Sequence, residues 1–428
     1  MSALMDQMIK PIYDQLIAKG YDKLVKMYDL CFRSTWETTL QRADDTVFLI
    51  TGDIPAMWLR DSSAQVYHYL HQANEYPEVI EAIEQMLNRQ FMYIAIDPYA
   101  NAFNIEANGN KLHHDRTNWT PEQKAIIWER KYEIDSLCYP IRLAHAFWKK
   151  TGRTSWCNEA FLKAVDAILT TWTIEQNHMT QSPYYFERIV ECPPSDTLPY
   201  EGKGNPVAYT GMTWSGFRPS DDACKYGYLI PANFFACKSL EQLEEIVEAL
   251  APDEVLQARI VKLREEIREG LCKYAVVQHE VFGDVYAYEV DGFGNAHLMD
   301  DANVPSLLSM PYLGCIRADD PVYRNTRKML LSKYNPYYYE GIAAKGIGSP
   351  HTPAEFVWPI SLCIQGLTAE DPEEIVELIH TLEQLDAGTF LMHEGVNVND
   401  ANDFTRPWFA WANSIFSEFV EKAVAYLS

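Results

Sequence analysis

Apolar residues along the chain recur mostly at the period of a helix. In 130–150, RKYEIDSLCYPIRLAHAFWKK, Ile134, Leu137, Ile141, Ala144 and Phe147 fall three and four positions apart, one face of an amphipathic helix. Pro140 should kink it, and Gly152 in the following TGRT is a natural C-cap. The same pattern predicts helices near 5–40, 62–75, 77–93, 155–176, 222–237, 239–275, 302–313, 320–333, 354–369, 371–386 and 406–427, about a dozen in all. Strand signals are few. VVQHEVFGDVYAYEVDGFGN (276–295) alternates around Phe282–Gly283–Asp284 and predicts a hairpin.

Long polar stretches separate the helices, at 48–61, 97–120, 181–221, 289–301, 335–353 and 391–406. They are rich in Trp, Asp, His, Asn, Gly and Pro, and long loops of this kind in a compact domain usually carry function. No low-complexity linker or charge block divides the chain, so one domain over 1–428 is expected. A dozen helices in one domain suggest a toroid of paired helices with its loops gathered at one end. An open solenoid is the alternative.

The 428 residues are 47% apolar and 22% charged, ample for a large core. Aromatics reach 13%, which suits core filling and stacking on flat ligand faces alike. A net charge of −24 repels phosphate backbones and anionic lipid, so neither nucleic acid nor membrane is an expected partner. The apolar residues of MSALMDQMIKPIYDQLIAKG are broken by Asp6, Gln7, Lys10 and Pro11, unlike an export signal. Nine cysteines without a CxxC pair read as reduced thiols, and the expected location is the cytoplasm.

Five loops combine carboxylates with aromatic or amide groups just ahead of a helix. In TGDIPAMWLRDSSAQV, Asp61 or Ser62 suits an N-cap. Alternatively, Arg60 and Asp61 grip vicinal hydroxyls while Trp58 covers an apolar sugar face. In WSGFRPSDDACKY, Ser220 or Asp221 suits the cap of a following helix, or one of Asp221 and Asp222 is a general acid. Trp214 and Phe217 would raise its pKa; Arg218 and a helix N-terminus would lower it. DGFGNAHLMDDANVPSLL repeats the paired aspartates, and Asp301 and Asn303 suit either capping or hydroxyl binding. His351 lies in a Gly/Pro loop, IGSPHTP. In MHEGVNVND, Glu394 is a candidate base. A calcium site at Asn397, Asn399, Asp400 and Asp403 lacks the Gly and Glu of a calcium loop. Phosphate loops, HExxH, GxSxG and zinc-type cysteine spacings are missing, and His113–His114–Asp115 is a weak metal candidate. Two carboxylates with room for water in an aromatic-lined pocket are what glycoside hydrolysis requires.

TGDIPAMWLRDSSAQV, TWSGFRPSDDAC, YEVDGFGN, DDANVPSLL, GIGSPHTP and MHEGVNVND, in this order, resemble glycoside hydrolase family 125, the bacterial exo-α-1,6-mannosidases. The resemblance runs from about residue 20 to the C-terminus. It implies an all-α (α/α)6 barrel with long active-site loops, no metal or other cofactor, and inverting release of terminal mannose from mannose-containing oligosaccharides. It implies that Asp221 is the general acid and Glu394 the general base. Arg60, Asp61, Asp301 and His351 are then candidates for holding the terminal sugar, and Trp214 for its aromatic platform. Three rivals remain. A glucosidase on the same fold would differ in one hydroxyl orientation, and a non-catalytic sugar-binding protein would need no acid and base. A terpene cyclase would need a third Asp beside DDAC and DDAN, which is missing.

Overall fold

The computed structural model describes residues 2–428. Its long helices fall into two sets by burial. Leu59–Tyr67, most of Ile134–Thr151, the first half of Ile230–Leu250, Pro359–Leu367 and Ala410–Ala423 are buried nearly all round. Asp22–Ser34, Pro77–Ile96, Glu159–Glu175, Glu254–Tyr274, Pro321–Leu330 and Pro372–Gln384 keep an exposed polar face. A helix apolar on most sides belongs inside and one with a single apolar stripe outside; Leu59–Tyr67 is the exception, an inner helix that buries Arg60, Asp61, Ser62, Ser63 and Gln65. The packing follows. Leu59–Tyr67 lies against Ile134–Thr151 and Ala410–Ala423, Ile134–Thr151 against Ile230–Leu250, and Pro359–Leu367 against Ala410–Ala423. Outer helices cover these: Asp22–Ser34 on Ala410–Ala423, Glu254–Tyr274 on Ile230–Leu250, Pro372–Gln384 on Pro359–Leu367. One contiguous apolar cluster runs through all of them, from Met5 to Leu427.

Inner helices start from small antiparallel sheets. Met57–Trp58 leads into Leu59–Tyr67 and pairs with Ala102–Phe103, which pairs with Ile127–Glu129. Tyr228–Leu229 leads into Ile230–Leu250 and pairs with Glu289–Val290. Phe356–Val357 precedes Pro359–Leu367 and pairs with Val396–Asn397, and Gly52 bridges to Phe409 just before Ala410–Ala423. Each pairing ties the loop before one inner helix to a loop distant in sequence, so the N-terminal ends of these helices share one stitched face.

The expected elements mostly form, with instructive exceptions. The 5–40 helix divides into Ala3–Ala18 and Asp22–Ser34 at Gly20, whose φ of +81° is left-handed. The helix expected from 222 begins only at Ile230 and runs to Leu250, so neither Ser220 nor Asp221 caps it. The helix expected over 239–275 is divided, its first part continuing Ile230–Leu250 and its second forming Glu254–Tyr274, capped by Asp253. Residues 302–313 form buried turns instead of a helix. Pro305 and Pro311 donate no ladder hydrogen bond, and the Asp300 carboxylate takes the N–H groups of Leu307 (2.8 Å) and Leu308 (3.0 Å). Ile134–Thr151 runs unbroken through Pro140, and Gly152 ends it at φ +71° as expected. The hairpin forms between Val276–His279 and Gly283–Tyr286. It is one of seven small sheets among the described residues, more strand than the sequence pattern signals. Among the described residues no helix is long and apolar enough to cross a membrane.

Candidate active site

The stitched face holds a cleft lined by Trp58, Arg60, Asp61, Ser220, Asp221, Asn303, His351, Trp358, Glu394 and Arg406, among others. Residues separated by up to 358 positions, from Thr51 to Phe409, thus meet in one place, and all five of the candidate loops contribute.

Asp221 sits in a tight turn. Its N–H donates to the Arg218 carbonyl (2.9 Å), and the Arg218 N–H donates to the Asp222 carbonyl (2.7 Å). Its φ is +69°, a left-handed conformation that Asp tolerates better than most side chains. That conformation separates the adjacent aspartates. Asp221 lines the cleft, with Oδ1 3.4 Å from Asn101 Nδ2 and 3.8 Å from Arg60 Nη2. Lys131 Nζ donates to its carbonyl at 2.7 Å. The Asp222 side chain is buried, with Oδ1 3.1 Å from His351 Nδ1. Burial would lower the His351 pKa, but Asp222, with Glu394 and Asp221 nearby, raises it to about 9. The Asp222 carboxylate thus favours the imidazolium form of His351, which lies in the wall of the cleft.

Arg60 is buried among four carboxylates. Nη1 contacts Glu133 Oε2 at 2.5 Å and Asp135 Oδ2 at 3.1 Å, Nε lies 3.3 Å from Asp61 Oδ1, and Nη2 faces Asp221. One guanidinium cannot neutralise four buried acids. Burial accordingly raises Asp61, raises Asp135 to about 6 and raises Glu133 well above the carboxylate range, against the pull of Arg60. Glu133 and Asp221 are within hydrogen-bond reach of each other.

Glu394 is buried and held from both sides. Thr405 Oγ1 donates to Oε2 at 3.1 Å, and Arg406 Nη1 lies 3.3 Å from Oε1. Arg406 is anchored on Asp53 at 2.6 Å. The calcium reading of this loop fails: Asn397 donates to Asp403, and the segment is an exposed strand pairing.

Two expected site residues lie elsewhere. Trp214 does not line the cleft. It is 1% exposed and stacked on His178 at 3.5 Å, with Gly227 against its edge, so its role is packing. Trp58, Trp358 and Phe409 are the aromatic rings of the cleft wall. Asp301 stands one shell behind, buried and accepting from Ser220 Oγ at 2.6 Å; Ser220 is the residue that reaches the cleft. Asp115 of the weak metal candidate is paired with Arg188 at 2.9 Å, and no group of three or more potential metal ligands occurs among the described residues.

Glu133, Lys131, Asn101 and Arg406 were not signalled by the sequence pattern. Glu133 carried a faint sign: like Asp61 it is a carboxylate at a helix start, immediately before Ile134–Thr151. Trp58 and Asn303, both in the cleft wall, each keep a buried polar atom, Trp58 Nε1 and Asn303 Oδ1, without a hydrogen-bond partner within the protein. Donors and acceptors interleaved with indole faces match a polyhydroxylated ligand.

Comparison with known proteins agrees with this chemistry. The chain is 38% identical to the Meiotically up-regulated gene 157 protein of Schizosaccharomyces pombe, over 98% of this chain and 85% of that one. A solved Streptococcus pneumoniae metal-independent alpha mannosidase, in a non-productive complex with alpha-1,6-mannobiose, superposes with a TM-score of 0.95. It shares 45% identity, with 99% of each chain covered. A solved glycosidase, 11% identical over 95% of this chain and 98% of that one, shares the fold alone at a TM-score of 0.58. Residues 22–421 match the family described as metal-independent alpha-mannosidase (GH125). The chain belongs to that family, glycoside hydrolase family 125, and is an alpha-mannosidase.

Proposed function

We propose that the chain removes the non-reducing terminal mannose from α-1,6-linked mannosides with inversion at the anomeric carbon. Asp221 would be the general acid and Glu394 the general base. The observation that carries this reading is the meeting of these two carboxyl groups, 173 positions apart, in one cleft whose wall also carries Trp58, Trp358, Arg60, Asp61, His351 and Arg406. The mannobiose bound by the Streptococcus pneumoniae relative supports the linkage.

In this mechanism Asp221 gives a proton to the glycosidic oxygen as the bond to the anomeric carbon breaks. Glu394 takes a proton from water as the water oxygen bonds that carbon from the other face. An inverting pair stands roughly 6.5–9.5 Å apart to admit the water. Thr405 and Arg406 orient Glu394, Arg60 and Asp61 hold hydroxyls of the terminal sugar, and His351 adds a cationic donor. The inner and outer helices, with the turns at 302–313 in place of a long helix, are read as an (α/α)6 barrel forming one catalytic domain over 1–428. Nine unpaired cysteines support a reducing, cytoplasmic location.

The test is hydrolysis of α-1,6-mannobiose followed by proton NMR with a chelator present. β-Mannose should appear first. Early α-mannose would mean retention and a different role for Glu394. No turnover of mannobiose but turnover of a glucoside would move the specificity.

A further inference from the structure

Glu133 poses a question that the acid–base pair leaves open. Its carboxyl is buried and lies beside Asp221 on one guanidinium, with Arg60 Nη1 2.5 Å from Glu133 Oε2 and Arg60 Nη2 3.8 Å from Asp221 Oδ1, which brings the two acids within hydrogen-bond reach. Oε2 receives both available donors, Arg60 Nη1 at 2.5 Å and Ser136 Oγ at 2.8 Å. Oε1 is buried and receives none. Two carboxyl groups in contact cannot both be ionised at low cost, so the pair holds one proton. An Oε1 that no protein group donates to is the oxygen suited to carry that proton.

We propose that Glu133 is the proton store of the general acid: between turnovers it is protonated and donates through Oε1 to the Asp221 carboxylate, and it passes that proton on as Asp221 protonates the leaving oxygen. This rests on the assignment of Asp221 as the acid. The balance closes. The Glu133 O–H bond breaks as the Asp221 O–H bond forms, and Asp221 then delivers the proton to the glycosidic oxygen, which keeps the electron pair of the broken bond. Glu133 is left ionised against Arg60 and Ser136. Glu394 releases the proton it took from water to solvent, and solvent returns one to the Glu133–Asp221 pair. Electrostatics supports the resting location. Burial would raise Asp221, but Lys131, Arg60 and the Glu133 hydrogen bond hold it below the usual carboxylate range, whereas burial and Asp221 hold Glu133 well above it. Without a partner that keeps a proton nearby, an acid so placed would be ionised at neutral pH.

The groups facing the pair are Arg60, Asp135, Lys131, Asp61, His351 and the Cys224 thiol. None of them changes in Glu133→Gln, which keeps the shape and a donor toward Asp221 but no transferable proton. On α-1,6-mannobiose at neutral pH, kcat/KM should fall about 100-fold, and the alkaline limb of the pH profile should move down by about one unit or more. Dinitrophenyl α-mannoside, whose leaving group needs no proton, should be hydrolysed within about threefold of wild type. In infrared difference spectra, the wild type minus the variant should show the carbonyl band of one protonated carboxylic acid at neutral pH. Equal losses on both substrates with an unmoved limb, or no such band, would overturn the proposal and leave Glu133 a structural residue. Asp221→Asn separates the two assignments. If it too loses both substrates equally, Asp221 is not the acid and the underlying reading falls. If it spares only the activated substrate, that reading stands and the Glu133 result decides the store alone.

Discussion

Asp222 Oδ1 and His351 Nδ1 lie 3.1 Å apart, so the second of two adjacent aspartates serves a histidine while the first, Asp221, faces the cleft. The left-handed backbone at Asp221 makes that division of labour possible, because it turns consecutive side chains to different partners.

The His351–Asp222 pair should titrate. His351 has its folded pKa raised to about 9, above an unfolded value near 6.5. The stability it contributes is therefore complete below about pH 6.5 and lost as pH rises through about 9. NMR of the His351 imidazole should show a midpoint near 9, and Asp222→Asn should bring it down toward the ordinary range. A midpoint near 6.5 in the wild type would refute the pairing in solution.

Glu394→Gln should reduce kcat by about 10²- to 10⁴-fold on α-1,6-mannobiose and on the activated aryl mannoside alike. Water must be deprotonated whatever group departs. KM should move little. A loss confined to mannobiose would assign Glu394 to the leaving-group side and remove it as base.

Arg60→Met should destabilise the fold by about 3–5 kcal/mol, because it strands buried acids that share one cation. The loss should be smaller at pH 5 than at pH 8. Asp61, Asp135 and Glu133 all have raised pKa values and neutralise as pH falls. Melting temperatures of wild type and variant at the two pH values check this; a pH-independent difference would mean that the acids are not coupled through Arg60.

Trp214→Ala should cost roughly 3–5 kcal/mol of stability, measured by denaturant unfolding, with KM changed less than about threefold. Gly227→Ala should destabilise too, since its new Cβ would lie 2.1 Å from Trp214 Cδ1 and Nε1. A large KM effect at preserved stability would return Trp214 to the sugar platform.

How much of this was legible beforehand differs by element. Helices such as Pro77–Ile96, Glu159–Glu175 and Pro372–Gln384 have one apolar face and were readable from spacing. The start of Ile230–Leu250 was not. Residues 222–229 carry the same apolar density as the helix, but Asp222 is held by His351, and Lys225 and Tyr226 donate their N–H groups to Glu289 at 3.0 Å, all contacts from afar. The turns at 302–313 were missed for a similar reason, because Asp300 takes the N–H groups a helix would need.

The sequence by itself determined the helical architecture, since periodic burial is a local property. It also named the loops that meet in the cleft, through their ordered motifs, and within them the two carboxylates proposed for the chemistry. Only the tertiary structure decided which neighbour of an adjacent pair lines the cleft, that Trp214 packs against His178 and Asp301 accepts from Ser220, and that Glu133 and Asp221 share Arg60. Those outcomes depend on partners distant in the chain, 36 positions apart for Trp214 and His178 and 129 for Asp222 and His351. A side chain's direction, its burial and its proton are fixed by what packs against it, and spacing along one strand of sequence carries no record of that.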